Sequence, residues 1–332
     1  MLTYVLDVRD LSDVRFVLAP MNETSLSLFH LNTTHESSAH LNRWRSNAQA
    51  QRDRYDHRLV SALVAPSGNA IPDFLTPMPE PGNARPSLDD GLAAIAATDP
   101  ALIHAQLDEL REGADPSPAL ARLLDEPEQA GPRIAGALER YHRVVIAPIW
   151  PSVNRILESD ITFRGRELAI GGPTQLFASL NPNLAWDRDG RLRLDLAYAR
   201  GSGEYASAGR GLILIPSVFL TRLVSAHSPE TATPHAGYPA RGSATLMESM
   251  REVPPGALRR LIGGAKADVL HALAEPTAVS ELARRLEVTP SAASQSLRVL
   301  HENGLVDRAR SGREVLYRRT PDGDRLVCGH RA

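Results

Sequence analysis

Apolar positions recur at two spacings along this chain, and the change between them divides it. Residues 2–8 alternate weakly and predict a short strand. Helical spacing follows over 26–31 and 38–58, while the proline-dense stretch 71–86 predicts a loop. Three more helices are expected at 87–112, 118–124 and 132–158, the last kinked by Pro148 and Pro151. From residue 161 the spacing shortens. ITFRGRELAI, NLAWDRDGRLRLDLAY and GLILIPSVFL read as strands, with Arg164-Gly165-Arg166 and Arg188-Asp189-Gly190-Arg191 as tight turns, so two hairpins and a buried strand are expected. A polar connection over 227–239 leads to REVPPG, where Pro254 and Pro255 stop any preceding element.

After that hinge the pattern is sharpest. Ile262, Ala265, Val269 and Leu273 share one face of a first packing helix over 261–273, ended by Glu275-Pro276. Thr277 is placed to cap a second helix whose Val279, Leu282, Ala283 and Leu286 face inward. Glu287-Val288-Thr289 forms the turn, with Val288 expected to point inward. A third helix starts with Thr289 as N-cap and Pro290 behind it, and stops at Asn303-Gly304. Ala293, Leu297, Val299 and Leu300 form its buried side. Ser291, Ala292, Ser294, Gln295, Arg298 and Glu302 stay outside, small and polar near the start, as close approach to base edges requires. Residues 305–310 and 314–319 alternate as two strands joined at Ser311-Gly312, with Val306, Val315 and Tyr317 closing over the helices. A last helix over 321–327 is a candidate dimer element.

The expected class is α+β: an N-terminal mixed helical and antiparallel-strand domain followed by a C-terminal winged helix-turn-helix. The first domain covers 1–250, helical over 1–159 and strand-rich over 160–250, and serves sensing or dimerisation. A hinge occupies 251–255 and the winged helix 256–332.

Composition adds location and partner. No stretch approaches the ~18 apolar residues of a membrane span, and MLTYVLDVRD lacks the basic-then-apolar order of a signal peptide, so a cytoplasmic protein without membrane contact is expected. A single cysteine, Cys328, excludes an internal disulfide framework. The formal net charge of -2 hides an asymmetry. Residues 256–332 hold 13 Lys/Arg against 9 Asp/Glu, leaving 24 against 30 for the rest, so the tail is +4 and the body -6. A basic tail carrying this pattern points to double-stranded DNA.

The candidate DNA-binding residues are Thr289, Ser291, Ser294, Gln295, Ser296 and Arg298 on the third helix, with Arg310 and Arg313 at the wing tip. Gln295 has the fork for adenine, and Arg298 suits guanine or a phosphate. Arg310 and Arg313 suit a minor groove or phosphates. Each side chain also reads as ordinary solvated surface.

Other constellations carry less. His30, His35 and His40 are spaced by five, which turns each by about 140° on a helix and cannot align three metal ligands. Cys328 and His330 read either as part of a site between two chains or as a frayed tail. Trp44, Trp150 and Trp186 read as core or pocket-lining rings. Gly171-Gly172-Pro173 and Gly201-Ser202-Gly203 are isolated turns rather than phosphate loops, and no nucleophile elbow or His-Glu-x-x-His motif is present, so neither enzyme chemistry nor a cofactor is expected.

With these residues in place, LARRLEVTPSAASQSLRVLHENGLVDRARSGREVLYRRTPDGDRLV resembles the winged helix of the ArsR-type bacterial regulators. The resemblance implies a homodimer that binds operator DNA, commonly as a repressor, and lets go on sensing a signal. GLILIPSVFL, with GYPARGSATLME further on, resembles the long actinomycete regulators that carry a large uncharacterised domain before the winged helix. Control by a small-molecule effector then falls to that domain. Two departures stand out. Ser296-Leu297 replaces the His-Leu pair of many members, and AVSELARR lacks the Cys-x-Cys motif of the metal sensors, which excludes thiolate sensing there. The alternative reading is a protein-interaction module that uses the winged helix for dimerisation or docking.

Overall fold

A computed structural model describes residues 1–31, 39–68, 70–79, 82–187, 189–196, 203–225, 233–247, 256–311 and 314–328. The chain separates into two compact units, Met1–Ser249 and Met250–Ala332. Helices and sheets are both present, and the class is α+β.

The first unit opens with β1 (Leu2–Val5), α1 (Val8–Ser12), β2 (Val14–Phe16) and α2 (Pro20–Ser27). Asp7 caps α1, with Asp10 closing the capping box. Helix α2 is buried along its length although Asn22, Glu23, Thr24, Ser25 and Ser27 are polar. Buried polar groups need partners. The Thr24 hydroxyl meets His142 Nδ1 at 2.7 Å, Ser27 meets the Tyr141 hydroxyl at 2.7 Å, and Ser25 donates to the Leu75 carbonyl. A Glu23 oxygen accepts from the Val218 amide at 3.1 Å.

The helix expected over 38–58 is two helices, α3 (Ala39–Ala50) and α4 (His57–Ala62), because Asp56 caps the second through the Leu59 amide. The stretch 87–112 likewise divides into α5 (Leu88–Ala96) and α6 (Pro100–Leu110), where Asp99 caps a new start and Pro100 cannot continue the old one. Helices α7 (Pro118–Asp125) and α8 (Pro127–Tyr141) follow. In place of a simple proline kink, a π-helical stretch His142–Ile146 and a 3-10 turn Ala147–Ile149 lead into α9 (Trp150–Leu180), with Pro151 in its first turn.

Residues 161–170, expected as a strand with an Arg-Gly-Arg turn, lie within α9. This helix is not a straight rod. Gly172 sits at φ 66, ψ -168, a region essentially reserved for glycine, and Pro173 begins a second arm. The Arg164 guanidinium reaches the Ser179 carbonyl and, at 2.8 Å, its hydroxyl. Fifteen residues of straight helix would separate these groups by ~22 Å, so α9 is a helical hairpin braced by Arg164. Asp160 pairs with Arg164 at 3.4 Å and accepts from the Tyr238 hydroxyl at 2.7 Å and the Arg241 amide at 2.9 Å. The helical part therefore runs to Leu180 rather than to 159.

Strands β3 (Leu184–Trp186) and β4 (Arg191–Leu194) form the expected hairpin, and β5 (Gly203–Ala206), β6 (Leu212–Ser217) and β7 (His235–Pro239) follow. One sheet has the order β3-β4-β1-β5, in which β1 runs antiparallel to β4 and parallel to β5. The other, β2-β6-β7, is parallel throughout, so antiparallel pairing holds only in part. All six residues of β6 are buried, the usual condition of a parallel strand and the reason for its unbroken apolar run. Because β1 and β2 belong to these sheets, strand structure is not confined to 160–250. The core joins Leu2, Tyr4, Leu176, Phe177, Leu192, Leu214 and Tyr238.

The remaining singled-out residues have structural places. His30 is buried with Nε2 at the Phe219 carbonyl, and His40 lies in α3. His35, Gly201, Ser202 and His330 lie outside the described residues. Trp44 is buried edge-on to Phe219, Trp150 tilts against His142, and Trp186 packs on Phe177.

The second unit holds α10 (Ala257–Ile262), α11 (Gly264–Ala272), β8 (Thr277–Ala278), α12 (Val279–Arg285), α13 (Pro290–Glu302), β9 (Val306–Ser311), β10 (Glu314–Arg319) and α14 (Pro321–Cys328). The helix expected over 261–273 is broken at Gly263, whose φ of 85 no other residue adopts comfortably, and Ala265 is exposed. Leu258, Ala267, Val269, Leu270 and Leu273 supply its inward side. Thr277 does not cap α12. It is buried in β8, which pairs with β10, and its hydroxyl donates to the Glu275 carbonyl at 2.8 Å. The hinge 251–255 lies outside the described residues.

Candidate nucleic-acid interface

The turn between α12 and α13 is fixed by backbone hydrogen bonds. Glu287 adopts a left-handed φ of 55, the Val288 amide donates to the Ala283 carbonyl at 3.0 Å, and the Glu287 amide to the Arg284 carbonyl at 3.4 Å. This is the Schellman closure of a helix. Val288 is 42% exposed, so its side chain does not set the interhelical angle as the sequence suggested.

Helix α13 follows directly. The Thr289 side chain accepts from the Ala292 amide at 3.2 Å and Pro290 occupies the first turn. At the other end Gly304 takes φ 69 and the Leu305 amide donates to the Leu300 carbonyl at 2.9 Å. Ala293, Leu297 and Leu300 are buried against α11, α12 and Val306, while Val299 is half-buried. With that face committed to the core, Ser291, Ser294, Gln295, Arg298 and Glu302 are left exposed on the opposite one, along with Ala292. Ser296 is half-buried beside them and does not line the groove described next.

The exposed face of α13 forms one side of an open groove of about 650 Å³, to which His301 also contributes. Arg308 and Tyr317 form the other side. These two are direct partners across the β9–β10 ladder, as are Arg310 and Val315. Alternation puts Val306, Arg308 and Arg310 on one face of β9. Val306 anchors that face in the core, Arg308 stands in the groove and Arg310 is exposed further out. Val315 is 41% exposed, because the strand pair extends past the helices it was expected to cover. Arg313 lies outside the described residues. Arg308 and His301 were not singled out from sequence. The pairing of Arg308 with Tyr317 follows from the ladder register, in which Ser311 lies opposite Glu314.

The charges here are unevenly committed. Glu281 engages Arg284 at 2.7 Å and Arg285 at 3.5 Å, and the hydrogen bond from Arg284 lowers its carboxyl pKa. Arg298 lies 3.9 Å from Glu302, a loose solvent-exposed pair. Scaffold-helix arginines are thus held by a carboxylate on their own helix, while Arg298 and Arg308 face the groove with a single acid, Glu302, among the described residues. No described helix is long and apolar enough to cross a membrane.

Residues 265–308 match the family model described as bacterial regulatory protein, arsR family. No curated protein and no solved structure matches the chain. The matched segment runs from α11 through the start of β9 and contains every element that positions the groove's helical side. The second unit therefore carries a segment similar to the helix-turn-helix of the arsR family of bacterial regulatory proteins, which supports a DNA-binding transcription regulator.

Proposed function

We propose that the protein is a cytoplasmic, homodimeric repressor that recognises a specific double-stranded DNA sequence through α13 and answers to a small-molecule signal received by the first unit. It acts by binding and not by catalysis. The observation that carries this reading is the exposed polar face of α13, short-chained at Ser291 and Ser294 and longer at Gln295 and Arg298, on a helix rigidly set by its caps and buried side. Such a face admits the helix to a major groove, where Gln295 suits adenine and Arg298 guanine or a phosphate. Two copies related by a twofold axis would read half-sites about one helical turn apart. Leu261, 75% exposed on α10, supplies an apolar surface for such an association.

Anisotropy titration of fragments from the gene's own upstream region tests the reading. Gln295→Ala and Arg298→Ala are each expected to weaken specific binding by ~1–3 kcal/mol for every base that the side chain reads. Unchanged affinity in the double variant sinks the assignment of this face. Sedimentation equilibrium checks the dimer.

A further inference from the structure

We propose that the first unit seats a small primary amine against the Glu23 carboxylate, with a neutral oxygen of the same molecule facing the Trp44 indole N–H. The inference rests on the reading of this unit as the receiver of a small-molecule signal, and gives that signal a place and a chemistry. Strands β2, β6 and β7 run parallel, and ligands of parallel sheets lie beyond the carboxyl ends of the strands. Three segments leave those ends here. Helix α2 starts four residues after the end of β2, Val218 and Phe219 follow β6, and the 3-10 turn Ser243–Met247 follows β7 and packs on α3. Glu23, in the first turn of α2, accepts from the Val218 amide through one oxygen, while the Phe219 ring meets Trp44 of α3 edge-on at 4.8 Å. Two successive residues thus bring the carboxyl and the indole to one place.

Their polar capacity is not used up. The second Glu23 oxygen and the Trp44 N–H have no hydrogen-bond partner among the described residues, although both side chains are buried. Asn22, next to Glu23 on α2 and also buried, leaves both ends of its amide open. Buried polar atoms are satisfied by protein, by water or by a ligand, and the chemistry selects among these. No described cation faces Glu23, and burial lifts its carboxyl to about 7, so an ammonium placed there supplies the missing charge and draws off the proton. The Trp44 and Phe219 rings add the aromatic surroundings that an ammonium favours. A carboxylate on the ligand is disfavoured, because the one buried guanidinium among the described residues, Arg164, is taken by Asp160 and Ser179. The oxygen offered to Trp44 is therefore a hydroxyl or an amide carbonyl. Both protein groups are closed to solvent, so the ligand enters through a local opening of the unit.

Ethanolamine carries both features and is the probe, with the indole N–H resonances of the isotope-labelled full chain as the readout at matched ionic strength. Trp44→Phe identifies the Trp44 signal by its loss. Ethanolamine is expected to shift that signal and to raise the melting temperature, whereas ethylene glycol, its neutral counterpart, leaves both in place. This comparison needs no variant. Glu23→Gln is expected to weaken ethanolamine about tenfold. Trp44→Phe, which keeps a ring and loses the N–H, should weaken ethanolamine and leave ethylamine unchanged, and melts without ligand verify that both variants fold. An equal response to ethylene glycol, no response to either amine, or undiminished binding in Glu23→Gln overturns the amine site and leaves these atoms to buried water. Failure of the wild-type chain to bind DNA at low salt overturns the regulator reading instead, without touching the amine site.

Discussion

Two buried titratable groups, Glu23 and His142, act on stability in opposite directions. Burial pushes the Glu23 carboxyl up to about 7 and pushes His142 down to about 4. Because the folded state holds the Glu23 proton more tightly, stability is highest below the ordinary carboxyl range and declines by about 3 kcal/mol as pH rises from 4.5 to 7. His142 does the reverse. Its neutral ring is favoured in the folded state, so stability is present above 6.5 and lost as pH falls towards 4, again by about 3 kcal/mol. Between pH 4.5 and 6.5 the two nearly cancel. Urea denaturation across this range is expected to show a steeper rise of stability with pH in Glu23→Gln than in the wild type. Parallel profiles would refute the assignment of the elevated group. Asp160 is a simpler case: Asp160→Ala leaves Arg164 buried without its carboxylate and the Tyr238 hydroxyl without an acceptor, with an expected loss of ~3–5 kcal/mol in the same assay.

At the scale of elements, the turn before α13 contains a removable strain. A non-glycine residue in the left-handed region is disfavoured by roughly 1–2 kcal/mol, so Glu287→Gly is expected to raise the unfolding midpoint of the second unit. Thr289→Ala, which removes the N-cap, is expected to lower stability by ~1 kcal/mol. Calorimetry distinguishes the two signs. Helix α13 was legible almost residue by residue because its determinants are local: a cap, a proline, a spaced apolar face and a left-handed stop. Where the decisive interaction was distant, the pattern misled. Thr277 looks like a cap from its neighbours alone, yet it pairs with Tyr317, forty residues on. Apolarity alone points Val288 and Val315 inward, and it does not reveal where a neighbouring element ends. Residues 161–170 alternate like a strand over a window too short to separate two periodicities, and Gly165 suggested a turn. The reversal came seven residues later, at Gly172, and it is closed by Arg164 and Ser179, a pairing that neither residue advertises.

For the whole molecule, charge separates the units more clearly than size does. The body carries -6 and the region from residue 256 carries +4. An acidic body repels the polyanion that the basic unit attracts, and salt screens that repulsion. A fragment spanning 256–332, which has its own core in Leu270, Leu282, Leu297 and Leu300, is expected to bind random duplex DNA more tightly than the full chain at low salt. The difference should close as salt rises. Equal affinities at every ionic strength would show that the body's charge does not reach the bound duplex.

Glu302 bears on how such a protein finds its site. A regulator must leave the vast excess of wrong sequences quickly, and general phosphate attraction is what delays it there. On the proposed reading, a carboxylate on the face turned to DNA shortens every unproductive stay by the same factor, while base contacts lengthen only the productive one. The acid therefore trades hold for search speed. Single-molecule dwell times on random DNA should lengthen in Glu302→Gln, and the delay in locating a specific site should grow with the length of flanking sequence.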